Sequence, residues 1–162
     1  MLDYKIITYL KIILFISLFS ISAAFFIEYV LGHQPCNLCL IERIPYGISI
    51  ILIILNYFLN KNEHFIILLL ILIFSFSFIV SFYHFGIENG FFEDSTICGL
   101  KNLSDNITKE ELLEQLQTKT VSCKDVTFRI FGFSLTTFNM VLSLIFTILL
   151  IKIFNNYEKF KK

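Results

Sequence analysis

The sequence predicts an all-α membrane protein: a bundle of four transmembrane helices with one long loop outside the lipid that contains a short amphipathic helix. Three observations carry that prediction. Hydrophobic residues make up 56% of the chain, with a mean hydropathy of +0.77, whereas a soluble domain is about 45–50% apolar. Four segments approach the roughly 20 apolar residues that cross the hydrocarbon core. The only long polar stretch is residues 84–129. The chain reads as one membrane domain, 1–162, and its net charge of zero carries no nucleic-acid signature.

The first helix is expected over about residues 6–31. Lys5, Lys11 and Ser22-Ala23-Ala24 resemble parts of a secretory signal, but Phe25-Phe26-Ile27 follow where a cleaved chain turns polar. The segment is therefore expected to be retained. The second helix is expected over about 39–59, with Glu42 and Arg43 at its polar end. Before it, Pro35 fixes its own φ and pushes Gln34 towards an extended conformation. The turn 60–63 is short enough to force an antiparallel hairpin with the third helix, about 65–83. The fourth is expected over about 130–154. In the loop 84–129, Thr108-Lys109-Glu110-Glu111 reads as a capping box. Leu112, Leu113 and Leu116 then share one side of a short helix, suited to a membrane surface or to the bundle.

Orientation follows from lysine and arginine placement. One face collects Lys5, Lys11, Lys61, Lys152, Lys159, Lys161 and Lys162. The other holds the short loop 32–36, without Lys or Arg, and the long loop, with five basic and eight acidic residues. Both termini are expected to be cytoplasmic. All four cysteines then lie on the opposite side, where disulfides persist.

Those cysteines form two pairs. Cys36 and Cys39 sit where extended chain becomes helix, a place where exposed N–H groups and the helix dipole favour a thiolate. A redox pair, an inert disulfide and half of a zinc site are the available readings. The 24 residues between Cys98 and Cys123 are unlike a zinc ribbon. Cys98 and Cys123 read either as a structural loop disulfide or as a mobile redox couple. Arg43 lies one turn beyond Cys39, able to steady a thiolate, to donate to a carrier's carbonyl, or simply to snorkel or pair with Glu42. His84 is a candidate proton donor to a reduced carrier, or an interfacial helix cap. Glu28, His33 and Glu88 carry weaker signals.

The run Pro35-Cys36-Asn37-Leu38-Cys39-Leu40-Ile41-Glu42-Arg43 resembles the P-C-x-L-C-x-x-E-R signature of the disulfide bond formation protein B (DsbB) family. Tyr83-His84-Phe85-Gly86-Ile87-Glu88 is similar to that family's Y-H-x-G-x-E. Cys98-Gly99 and Cys123 match its loop pair, and Phe128 to Leu135, with Asn139 after it, its approach to the last helix. The resemblance implies an enzyme of the bacterial inner membrane with its cysteines on the periplasmic side. It would reoxidise a DsbA-like periplasmic thioredoxin-fold protein and reduce ubiquinone or menaquinone. Cys98 would form the mixed disulfide with the partner. Cys123 would resolve it and exchange with Cys36, and Cys39 would face the quinone as a thiolate beside Arg43. His84 falls near the family's quinone site. Where the family often has tryptophans, this chain has Phe91 and Phe92.

Two other readings compete. A vitamin K epoxide reductase-like enzyme also uses Cys-x-x-Cys in a four-helix bundle, but its motif falls near the last helices. A non-catalytic scaffold with two structural disulfides would show no quinone-dependent thiol oxidation.

Overall fold

The computed structural model describes residues 3–59, 63–93, 123–124, 128–130 and 132–161. Cys98 and the amphipathic helix expected after Thr108 lie outside these residues. Four long helices are described: α1 (Asp3–Tyr29), α2 (Asn37–Leu59), α3 (Glu63–Glu88) and α4 (Leu135–Lys161). A two-residue hairpin, β1 (Arg129–Ile130) and β2 (Phe133–Ser134), precedes α4.

Each helix carries a span of at least 22 residues apolar enough to cross a membrane. At about 1.5 Å per residue that is roughly 33 Å, slightly more than the ~30 Å hydrocarbon core. The chain is a multi-pass membrane protein. Phe15, Phe58, Leu72 and Ile79 point outward, the placement lipid solvates without cost.

Helix α3 is the hub, packed against α2 on one side and most extensively against α4 on the other; α1 rests on α2. The apolar core lies in the half of the bundle nearer the end of α2 and the start of α3. There Ile67, Leu70, Phe74, Phe146 and Leu150 are almost fully buried. Phe74 meets Phe146 edge to face, with centroids 4.9 Å apart and planes at 74°, an arrangement the ring quadrupoles favour.

Among the boundaries that differ from the sequence expectation, two bear on the site. Helix α3 continues beyond Tyr83 to Glu88, so His84 and Glu88 stand on a helix instead of opening the loop. They stay helical because their polar atoms find partners inside the bundle. The stop comes at Gly86, whose carbonyl accepts the Phe91 and Phe92 N–H groups, and at Gly90, with φ of 75°. The Phe92 ring folds back on Gly86; an added Cβ would lie 2.1 Å from it. The fourth helix begins at Leu135, because β1 and β2 occupy Arg129–Ile130 and Phe133–Ser134 before it, with Gly132 between them at φ of 86°. Ser134 then caps α4, its Oγ accepting the Thr137 N–H at 3.3 Å, as an N-cap serine does.

Candidate redox site

Cys36 is the residue just ahead of α2. Its carbonyl accepts the first helical N–H, from Leu40, and its Sγ accepts the Cys39 N–H at 3.4 Å. The sulfur therefore takes the place that an N-cap oxygen usually fills, at the positive end of the helix dipole. Cys39 Sγ lies 2.9 Å away, and both cysteines are free thiols. The hydrogen bond from Cys39, helped by His84 and opposed by burial, pulls the Cys36 thiol far below its usual range, to about 4. In the reduced pair the negative charge settles on Cys36, with Cys39 as its donor.

His84 approaches the same sulfur from α3. Its Nε2 is 3.5 Å from Cys36 Sγ. Its Nδ1 is 2.8 Å from Glu42 Oε1 and 3.3 Å from Thr136 Oγ1. Glu42 turns into the bundle, where its other oxygen accepts from Asn139 Nδ2 at 2.7 Å. Asn139 also donates to Ser81 at 2.7 Å and accepts from the Tyr46 hydroxyl. Tyr46 in turn meets Ser143, and Ser143 meets Ser77. Glu88 accepts from Ser134 at 2.5 Å and Thr136 at 2.6 Å, placing a carboxylate at the N-terminus of α4, where the dipole favours it. Every link satisfies a group that would otherwise be buried without a partner, at a cost of about 1–3 kcal/mol each.

Arg43 faces the other way from Glu42. It pairs with Glu28 of α1 at 2.5 Å, with its guanidinium 5.3 Å from the centre of the Phe25 ring. Glu28, a weak signal in the sequence, is thus the counter-ion; Glu42 is not. Closing the pair removes the cost of an isolated charge in a spanning segment, about 2.5–3.5 kcal/mol at the bilayer centre.

These groups line a cavity of about 330 Å³ bounded by α1, α2, α3 and α4. Its wall is mainly apolar, with Phe19, Ala24, Phe138 and Leu142 below, and Cys36, Cys39, Arg43 and His84 at the reactive end. Cys123 also reaches the wall. It is disulfide-bonded, nearly fully buried, and packed with Cys36, Leu38 and Ile87 in one apolar cluster. His33 and Phe128, ring centres 5.3 Å apart, stand at the same end. The structure therefore brings together five of the six residues singled out from the sequence: Cys36, Cys39, Cys123, Arg43 and His84. The sixth, Cys98, lies outside the described residues.

A metal is the other chemistry these donors allow. Cys36 Sγ, Cys39 Sγ and a His84 nitrogen lie within 4.8 Å of one another. Tetrahedral zinc, with Zn–S near 2.3 Å, separates two sulfurs by about 3.8 Å. The observed 2.9 Å is tighter than that, and is a hydrogen bond between the two sulfurs.

Sequence reasoning did not find Glu42, Asn139, Tyr46 and Thr136 as site residues. The signal was present as polar positions at helical spacing. Ser77, Ser81, His84 and Glu88 make one stripe on α3; Thr136, Asn139 and Ser143 make another on α4.

A dithiol at a helix start, beside a disulfide and facing an apolar cavity in a membrane bundle, defines a membrane thiol–disulfide oxidoreductase site. Comparison gives the particular family: the chain matches the disulfide bond formation protein DsbB over residues 8–153, and it belongs to that family. It is also 29% identical over 150 residues to the uncharacterised protein RP370 of Rickettsia prowazekii (strain Madrid E), covering 91% of this chain and 86% of that one. No solved structure matches.

Proposed function

We propose that this protein is a thiol:quinone oxidoreductase that reoxidises a thioredoxin-fold dithiol oxidase, DsbA-like and periplasmic, and passes the electrons to ubiquinone or menaquinone in a bacterial inner membrane. The observation that carries the reading is the shared cluster of Cys36 and Cys123 on the wall of an apolar cavity. One redox couple is within the other's neighbourhood, and both border a space suited to a lipid-soluble carrier.

The residues present fit a quinone. A flat ring needs apolar walls and a donor at its carbonyl end, and the cavity offers Phe19, Ala24 and Leu142 with Arg43. A bound quinone would supply two-electron acceptance. The chain's own residues do the rest. Cys98 receives the partner's thiolate, and its bond to Cys123 breaks. In the oxidised state of the other pair, in which Cys36 and Cys39 are joined, the released Cys123 attacks Cys36; that S–S bond breaks and leaves Cys39 as the free thiolate facing the cavity. Arg43, held by Glu28, aims its charge at the same space. His84 holds a proton at the cavity wall for the reduced carrier to take up. Each exchange is an attack of thiolate on disulfide, with direction set by reduction potentials. The lysine distribution supports cytoplasmic termini and periplasmic cysteines.

The test is anaerobic quinone reduction by purified protein supplied with a reduced thioredoxin-like partner. Stoichiometric partner oxidation and quinol formation are expected. Free thiols that never pass electrons to quinone would leave the cysteines as bundle staples.

A further inference from the structure

His84 is nearly fully buried, yet no apolar reason accounts for it. Both its nitrogens are taken: Nδ1 by Glu42 Oε1 at 2.8 Å, Nε2 by Cys36 Sγ at 3.5 Å. A carboxylate accepts only, so Nδ1 carries the hydrogen there. Thr136 Oγ1, 3.3 Å from Nδ1, spends its own hydrogen on Glu88 and also presents a lone pair. Nε2 is then bare and aimed at the thiol, with Glu88 Oε1 3.7 Å behind it. Glu42 is itself fixed, because Asn139 Nδ2 holds its second oxygen at 2.7 Å.

We propose that Glu42 is a positioning residue that fixes His84 in the tautomer whose Nε2 takes the proton of the Cys36 thiol, with Glu88 holding the imidazolium that results. This rests on the thiol oxidoreductase reading above. In the step, the S–H bond of Cys36 breaks and an N–H bond forms at Nε2; the electron pair stays on sulfur and nothing is oxidised. The thiolate is then ready for exchange, and the proton waits on His84 at the cavity wall.

The groups facing His84 support this assignment. From the start of α2 come Cys36, Cys39 and Glu42; from α3, Glu88; from α4, Thr136, which bears no charge. Tyr46 is turned to Asn139 and Ser143, Cys123 is disulfide-bonded, and Arg43 is closed on Glu28. Two carboxylates and a thiolate thus surround the ring, and among the described residues no cation is paired with it. An imidazole flanked in this way is a proton acceptor whose orientation depends on Glu42.

The experiment is the pH dependence of Cys36 alkylation in the reduced full-length protein, read at Cys36 by mass spectrometry after brief iodoacetamide exposure. The wild-type midpoint is expected near 4. Glu42→Gln keeps the size of the side chain and removes its charge; His84→Gln removes the base. His84→Gln is expected to raise the midpoint by about 1–2 pH units, the effect of losing one hydrogen bond to a charged group; Glu42→Gln, which acts through His84, is expected to raise it by less. Ile87→Val, which trims packing beside Cys36 without touching a polar atom, is expected to leave it in place, and Glu42→Asp to restore part of the shift. Should one variant lose its helical circular dichroism, the other carries the comparison. Wild-type midpoints in both Glu42→Gln and His84→Gln overturn the proposal. So does an equal rise in Ile87→Val, which would make the shift a packing effect. The assay contains neither quinone nor partner, so a failure of quinone turnover alone leaves this result standing and sinks only the proposed function.

Discussion

The two halves of this bundle solve the same packing problem with opposite materials. Toward the end of α2, Ile67, Leu70, Phe74, Phe146 and Leu150 fill the centre, and apolar packing predominates. Toward the cysteines, the centre holds His84, Glu42, Glu88, Thr136 and Asn139, joined by hydrogen bonds. In lipid an apolar core gains little from leaving the solvent, since the tails are as apolar as leucine. A closed polar network there is costly unless every member is satisfied. The first half tolerates approximation; the second must be complete, and it closes around the Cys36 sulfur.

Breaking the reactive half outright is the largest test. Cys36→Ala removes the sulfur that both Cys39 and His84 address, so quinone reduction is expected to fall to background while the helix content stays. Turnover above background would place electron entry at another cysteine. In the apolar half, Phe74→Ala should cost about 3–5 kcal/mol of stability, seen as a lowered unfolding midpoint, yet activity per folded molecule should persist. Loss of activity without loss of stability would erase the division between the halves.

Arg43→Ala sharpens the comparison at its edge. It removes a donor at the cavity and strands Glu28. The quinone KM is expected to rise about ten- to a hundredfold, from the roughly 1.5–3 kcal/mol of a charge-assisted hydrogen bond. Exchange at Cys98 should continue; unchanged quinone dependence would reduce Arg43 to a counter-ion. The smallest effect is expected from Gly86→Ala. A Cβ there meets the Phe92 ring at 2.1 Å, and displacing that ring should cost about 1–3 kcal/mol. An unaltered melting curve would show that Phe92 moves aside freely.

The four spans were legible because hydrocarbon thickness dictates their length whatever the sequence details. Cys36 and Cys39 were legible because a thiol pair at a helix start has few uses. Glu42 was not. In the sequence it is one acidic residue beside Arg43, an apparent ion pair; in the bundle consecutive helical positions point about 100° apart, so Glu42 turns inward to His84 and Arg43 outward to Glu28. The end of α3 was misplaced for a related reason. His84, Gly86 and Glu88 look like loop residues by polarity, and only partners supplied by α2 and α4 keep them helical. Long-range satisfaction of polar atoms decided each of these points, and a single sequence records it only as faint stripes of serine, threonine and asparagine.

Every reactive group described here sits at one end of the bundle: the starts of α2 and α4 and the last turns of α3. The cavity descends only to the depth of Tyr46 and Leu142. Under the proposed function, electrons leaving the dithiol and the proton leaving Cys36 would travel sideways, near one end of the bundle. Moving one elementary charge across the whole membrane against 100 mV would change the energy by about 2.3 kcal/mol; this path crosses almost none of that field. Electron flow from such a site would be electroneutral, with its rate expected to be the same in energised and de-energised vesicles.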